Sequence, residues 1–562
     1  MSDPSFLEAL APEADLFGQF DPVSFGEALL EFSANLATHP AEALSARIRF
    51  WGRMAAAAVD TASVAFGFKP SSTLQPRPKD RRFSDSAWED NPFFFAHRQA
   101  YLAWAEYMRE LAEVGHPDEV VADKASFAIG LLVDAMAPSN FLPTNPVALR
   151  KAVETGGVSL LKGFLNFVED VATNRGLPRQ VDKSAFQVGE NIGCTPGKIV
   201  FRNELMELIQ YEPQTEKVGS LPLLLSPPWI NRYYIMDLAP GRSFVEWAVQ
   251  HGHTVFAISY RNPDASMRGV ALDDYLIHGP RQALDVVCEI TGSEQVNIVG
   301  LCIGGTLTAA LLAYLASEGD KRVRSATLLN TLVDFSDPGP LRTFTDPSTI
   351  RRMEQRMAQT GFLDEHDMAT TFNLLRPNDL IWNYVTSNWL LGEDPPAFDI
   401  LAWNAHSTRM PSDMYLFYLR SCYERNELAQ NKMELAGTQL HLDAIESDVY
   451  VLAAKEDHIT PWKAAYRTTQ LLQSPRRFVL TSSGHVAGIV NPPGPKRKYW
   501  TNDELPPDPE EWLDGATEHS GSWWEDWTQW IADRAGERRE PPPMGSDAHP
   551  VLDDAPGTYV HG

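Results

Sequence analysis

Beyond about residue 195 short apolar runs alternate with segments of helical spacing, and this alternation limits the fold more than any other feature of the chain. The runs are LPLLL (221–225), TVFAIS (254–259), VNIVG (296–300), SATLLN (325–330), VYVLAA (449–454) and RFVLT (477–481). Each is short enough for a buried strand and too short for an ordinary helix. Between several of them lie stretches such as GRSFVEWAVQHG and DDYLIHGPRQALDVVCEITG, which carry helical spacing and end at or near glycine. Strands separated by helices must cross over the sheet, so the pattern predicts a mostly parallel sheet covered by helices.

The alternation lapses between about 333 and 445, where a Trp- and Pro-rich, largely helical stretch contains LRPNDLIWNYV and FDILAWNAHSTRMP. A plain loop of that length is not expected inside a domain, so the stretch reads as a cap over a site. Residues 1–190 show helical spacing instead. In NPFFFAHRQAYLAWAEYMRELAEVG (91–115) Pro92 can open a helix and Gly115 close it; in 149–174 Gly156-Gly157 is a possible break. The expected organisation is a helical N-terminal domain (1–190) followed by an α/β catalytic domain (191–562) with a cap insertion at about 333–445. A C-terminal helix places Trp523, Trp527 and Trp530 on one face, where they would pack against the body, and the last twenty or so residues are expected to be loosely ordered.

A net charge of −26 makes the average surface repel nucleic acid and anionic lipid. Four widely spaced cysteines (Cys194, Cys288, Cys302, Cys422) form neither a disulfide framework nor a zinc pattern, so no metal is expected. No Lys or Arg precedes Arg47, which leaves no basic start to a signal peptide, and no apolar run is long enough to span a membrane. The expectation is a cytoplasmic chain without a membrane span.

The chemistry concentrates at VNIVGLCIGGTLTAALLAYLA (296–316). A strand ends at Gly300, small residues open a helix after Cys302, and Gly300 and Gly304 remove side chains that would crowd a sharp strand-to-helix turn. Such an elbow exposes the side chain at its tip and aims the next backbone N–H, that of Ile303, at an oxyanion. The bland reading, a buried cysteine in a Gly-rich turn, explains less of the pattern. A thiol nucleophile needs a base, and the base an orienting acid. In the α/β-hydrolase order, nucleophile then acid then histidine, VYVLAAKEDHITPW places Asp457 just beyond a strand and RFVLTSSGHVAG places His485 after the next one. His458 and Glu456 are alternative members; His251, His253 and His278 precede the nucleophile and lie on or beside helices, where a packing or surface role fits better. A second oxyanion donor is expected from the loop LLLSPPWINRYY, through Ile230 or Asn231.

With these residues placed, the chain resembles the polyhydroxyalkanoate synthases, the bacterial polyester polymerases, and most closely their class I. The matching stretches include SNFLPTNP (139–146), PPWINRYYIMDL (227–238), GHTVFAISYRNPDASM (252–267), GLCIGG (300–305), LRPNDLIWNYV (375–385), EDHITPW (456–462), SGHVAGIVNPP (483–493) and HSGSWWEDW (519–527). The resemblance spans roughly residues 90 to 530. It implies an α/β-hydrolase fold, a Cys302–Asp457–His485 triad, and joining of (R)-3-hydroxyacyl-CoA units, chiefly 3-hydroxybutyryl, into polyester with release of CoA. It further implies a homodimer on the surface of a storage granule, possible granule-coating partners, and no cofactor, CoA being part of the substrate. Trp229 stands where some relatives have a cysteine, which bears on that side chain and not on the loop's backbone. Arg376, in the cap, is a candidate for CoA phosphates. The rival readings are a thioesterase or cysteine hydrolase with the same triad and a granule-coating protein with an inactive site.

Overall fold

The computed structural model describes residues 22–562 except 72, 79, 116 and 117. The first twenty-one residues, on which the signal-peptide expectation rests, lie outside the described residues. The chain divides into two compact units: residues 1–182 with 367–396, and residues 183–366 with 397–562. The first boundary falls a few residues before the expected 190, and the middle of the expected cap groups with the N-terminal unit.

The first unit is helical. Its helices include Pro22–Thr38, Pro40–Ala65, Pro92–Ala112, Glu119–Ala135, Pro146–Glu154 and Val158–Thr173. Asn91 caps the helix at Pro92 by accepting the Phe93 N–H at 3.0 Å, which satisfies a donor that the helix cannot. Phe32, Phe83, Trp88, Tyr101, Ile129 and Val133 are buried together as its core. The run 149–174 does break at Gly156 and Gly157, both at positive φ (59° and 89°), a region glycine enters without Cβ strain. The segment 367–396 is bound into this unit by polar contacts: Trp389 Nε1 donates to Asp170 Oδ2 at 2.7 Å, and Asn388 Nδ2 to the Arg179 carbonyl at 2.7 Å.

The second unit is built on one eleven-stranded sheet. In chain order its strands are β1 (Gly197–Arg202), β2 (Met206–Tyr211), β3 (Leu223–Ser226), β4 (Val255–Tyr260), β5 (Val296–Leu301), β6 (Val323–Leu329), β7 (Asp448–Ala454), β8 (Arg476–Thr481), β9 (Lys498–Thr501), β10 (Thr517–Ser520) and β11 (Asp553–Asp554). They lie in the order β10-β9-β8-β7-β6-β5-β3-β4-β2-β1-β11. The six central strands, β4 to β8 in space, run parallel and are the six apolar runs of the sequence. Covered on both faces, they read as continuous apolar stretches, as buried parallel strands do. β1, β2, β9, β10 and β11 pair antiparallel at the two edges.

Two details of the C-terminal region are specific. In the helix Trp523–Ala532 the buried indoles are Trp523, Trp524 and Trp527, while Trp530 is only partly covered. The last residues are ordered, contrary to the expectation from their Pro and Asp content. Leu552 N–H donates to the Ile199 carbonyl at 2.8 Å, β11 extends the sheet edge, and the Gln210 side chain bonds both the Pro543 carbonyl (2.9 Å) and the Gly545 N–H (2.8 Å). A proline-rich tail gains order here because the sheet edge supplies the partners that its own sequence lacks.

Candidate active site

Cys302 is the single residue between β5 and the helix Ile303–Ser317, with φ 52° and ψ −124°. Positive φ strains a side-chain-bearing residue, and the surroundings hold it there. Its N–H donates to the Leu329 carbonyl of β6 at 2.9 Å, and its own carbonyl accepts from Gly305 N–H at 2.9 Å and Thr306 N–H at 3.0 Å. The turn is tight enough that a Cβ on Gly300 would lie 2.7 Å from the Gly305 Cα. One on Gly304 would run into the Ser226 and Pro227 carbonyl oxygens. The following helix is buried nearly all round, which accounts for its small and apolar residues.

Asp457 follows β7. Its Oδ1 accepts the N–H groups of Ile459 (2.8 Å) and Thr460 (2.9 Å), and its Oδ2 accepts the Thr460 hydroxyl (2.7 Å) and His485 Nδ1 (2.6 Å). The carboxylate is fully buried and the imidazole 11 % exposed. An ionised carboxylate only accepts, so Nδ1 carries the proton toward Asp457 and Nε2 is left for the other side of the ring. Cys302 is among the groups that act on the His485 ring. Burial works against the imidazolium, but the Asp457 carboxylate and Cys302 outweigh it and hold His485 well above the ordinary imidazole range. Burial would likewise raise the Asp457 carboxyl, and His485 with the Thr460 donors hold it below its ordinary value. The structure thus brings together Cys302, Asp457 and His485, residues carried by three separate strand ends.

Ile303 is the first residue of its helix, so its N–H has no intrahelical acceptor. The loop after β3 crosses the same turn, with the Ser226 and Pro227 backbone against Gly304. Trp229 is buried, its ring 4.7 Å from that of Tyr275 and 5.6 Å from that of Tyr260. Asn231 is buried too, and its Oδ1 accepts the Arg232 N–H at 2.9 Å. A small apolar pocket lies beside the elbow, lined in part by Trp229, Ile303, Thr306, Tyr418, Cys422 and Met433.

Of the other sequence candidates, Glu456 is exposed and His485, not His458, is the histidine bonded to Asp457. The ring of His251 stacks on Trp247 at 3.9 Å, His253 is buried, and the His278 carbonyl accepts from Asn203. Arg376 belongs to the first unit, where it pairs with Asp379.

Three residues near the triad escaped the sequence reading. Asn330, at φ 42°, donates from Nδ2 to the His485 carbonyl at 2.6 Å. Tyr418 and Tyr423 have ring centroids 5.6 Å apart and share the edge of Phe335; burial first, and then neighbouring groups that include Cys302, push both phenols well up. Five residues apart, they would point to different sides of an α-helix. The π-helical turn Leu419–Glu424 is what lets them meet. In Asn330 the signal was a polar residue ending an apolar strand, visible but not specific.

A nucleophile-elbow cysteine with a histidine–carboxylate pair, set at strand ends of a parallel sheet, is an arrangement suited to acyl transfer and marks the candidate site of an α/β-hydrolase fold. The model of the alpha/beta hydrolase fold matches residues 240–492, and the model described as Poly-beta-hydroxybutyrate polymerase (PhaC) N-terminus matches residues 79–248. A poly(3-hydroxyalkanoate) polymerase subunit of Cupriavidus necator is 46% identical over 86% of the chain and 83% of its own length. A poly(3-hydroxyalkanoate) polymerase of Methylorubrum extorquens is 42% identical over 99% of the chain and 93% of its own. Poly(3-hydroxyalkanoate) polymerase 2 of Ectopseudomonas oleovorans is 45% identical over 87% of both. The chain belongs to the poly(3-hydroxyalkanoate) polymerase family.

Proposed function

We propose that this chain is an acyltransferase that polymerises (R)-3-hydroxyacyl-CoA, chiefly 3-hydroxybutyryl-CoA, into polyester and releases CoA. The observation that carries the reading is the pairing of His485 with Asp457 at 2.6 Å beside an elbow cysteine, in a chain of this family. His485 Nε2 takes the Cys302 thiol proton, and the thiolate attacks the thioester carbonyl carbon. The oxyanion rests on the Ile303 N–H and on the loop at Ile230 and Asn231. CoA leaves as a thiolate and takes the proton from the imidazolium, which leaves an acyl thioester on Cys302. The 3-hydroxyl of another unit then gives its proton to His485 and attacks that thioester; an oxoester forms and Cys302 leaves as thiolate.

Sulfur suits this cycle because thioester exchange is nearly balanced in energy, and a thiolate leaves more readily than an alkoxide. The pocket beside Ile303 is lined largely by apolar and aromatic side chains, which disfavour the water that would otherwise end the chain. The cycle draws on no resident cofactor. In this reading Arg376 exchanges Asp379 for a CoA phosphate. The chain is of class I and functions as a cytoplasmic homodimer at a storage-granule surface, among granule-coating proteins.

Incubation with 3-hydroxybutyryl-CoA tests the activity. CoA release with insoluble polymer is expected, and is abolished in Cys302→Ala. Release of CoA with free 3-hydroxybutyrate alone would identify a thioesterase instead. Competition between C4 and C8 substrates reads the chain-length preference.

A further inference from the structure

We infer that Arg232 is a positioning residue, which holds the loop facing the candidate nucleophile by anchoring it in the C-terminal turn Thr558–His561. The inference rests on the proposed role of that loop as an oxyanion donor.

The backbone of residues 229–232 is tied on one side to the segment 403–408. The Thr408 hydroxyl donates to the Trp229 carbonyl at 2.6 Å, Trp403 Nε1 to the Arg232 carbonyl at 2.7 Å, and Asn231 bridges Ser407 in antiparallel fashion. The Arg232 guanidinium ties it on the other. Only 5 % exposed, it donates through Nη1 to the Tyr559 carbonyl at 3.0 Å and through Nη2 to the Gly562 oxygen. That turn is itself fixed: buried Glu207 accepts from Thr558 N–H (3.0 Å), Thr558 Oγ1 (2.8 Å) and Tyr559 N–H (3.0 Å), and the Tyr559 hydroxyl donates to the Asn203 carbonyl at 2.6 Å.

Among the described residues no Asp or Glu side chain forms an ion pair with Arg232, and its Nε lacks a hydrogen-bond partner. Burying a cation is costly, and an apolar side chain of similar volume would fill the space at less cost. What the guanidinium supplies instead is geometry. Two arms of a rigid fork grip two separate backbone oxygens, which fixes the direction in which residue 232 leaves the loop.

The test compares two reactions of Cys302 in the full chain. Acylation by p-nitrophenyl acetate passes through an oxyanion, whereas alkylation by iodoacetamide displaces iodide and develops none; peptide mass spectrometry and a Cys302→Ala control assign both to Cys302. In Arg232→Met the p-nitrophenolate burst rate should fall roughly thirtyfold, less than the roughly hundred- to thousandfold lost with an oxyanion donor itself because the donor is displaced and not removed, while the alkylation rate stays within about twofold. Arg232→Lys, which reaches one oxygen, should recover part of the loss. Glu207→Gln loosens the turn with Arg232 in place and should give the same pattern more weakly; it serves if Arg232→Met does not fold. An unchanged burst, or equal falls in both reactions, would overturn the inference. Wild-type protein that gave the burst but released no CoA from 3-hydroxybutyryl-CoA would overturn the polymerase reading alone.

Discussion

The imidazole of His485 is bound through Nδ1 to Oδ2 of Asp457 at 2.6 Å, and the carboxylate spends its other lone pairs on Thr460 and Ile459. The acid is therefore locked before the histidine meets it, and the ring has one orientation. Asp457→Asn keeps the shape but can turn its amide toward Nδ1 and invert the tautomer. We expect CoA release from 3-hydroxybutyryl-CoA to fall about a thousandfold, with the circular dichroism spectrum unchanged. A fall below about tenfold would show that this carboxylate does not orient the base.

The same pair sets a pH window. His485 is raised above its ordinary pKa, so its contribution to stability is fully present below the ordinary imidazole value and is lost as pH rises through the raised one. Asp457 is lowered, so its contribution is present above the ordinary carboxylate value and is lost as pH falls through the lowered one. The stability gap between wild type and Asp457→Asn should thus be widest between those limits and narrow at both ends. Denaturant unfolding across pH reads the gap, and nitrogen NMR of labelled histidine should show His485 titrating at lower pH in the variant. An unmoved titration would refute the coupling.

Gly304 has the Ser226 and Pro227 backbone where a Cβ would go. Gly304→Ala must push the loop and the helix apart, at a cost of about 1–3 kcal/mol. Thermal unfolding should register that loss, and acylation of Cys302 should drop further than its alkylation, because the displaced loop is the one assigned to the oxyanion. Unchanged stability would mean that the turn is looser than its geometry implies.

Asn330 tests support of the base from behind. Its Nδ2 holds the His485 carbonyl at 2.6 Å, and its backbone sits at φ 42°. Asn330→Gly tolerates that φ and removes only the side-chain bond, worth about 1 kcal/mol. Acylation should slow about fivefold while the apparent KM holds, as measured by initial rates over a range of substrate concentrations. A change confined to KM would place Asn330 in substrate binding instead.

How much was legible beforehand follows from what each feature depends on. The six parallel strands were visible because a strand buried on both faces must be apolar throughout, and Gly300 and Gly304 announced the turn because no other residue fits the close approach. The order of Cys302, Asp457 and His485 could be read because each follows its own strand. The edge strands β1 and β2 were not visible: MELIQY and GKIVFR carry polar residues whose partners come from the far end of the chain.

The sequence by itself determined the class of fold, the nucleophile candidate and which side chains could serve it, since these depend on local period, turn sterics and residue chemistry. Only the tertiary structure decided that His485 Nδ1 faces Asp457, that a π-turn brings Tyr418 and Tyr423 together, that Asn330 backs the base, and that the tail is ordered by Glu207 and Arg232. Those relations join residues far apart in the chain through hydrogen bonds of fixed direction, and direction exists only once the strands have taken their places in the sheet.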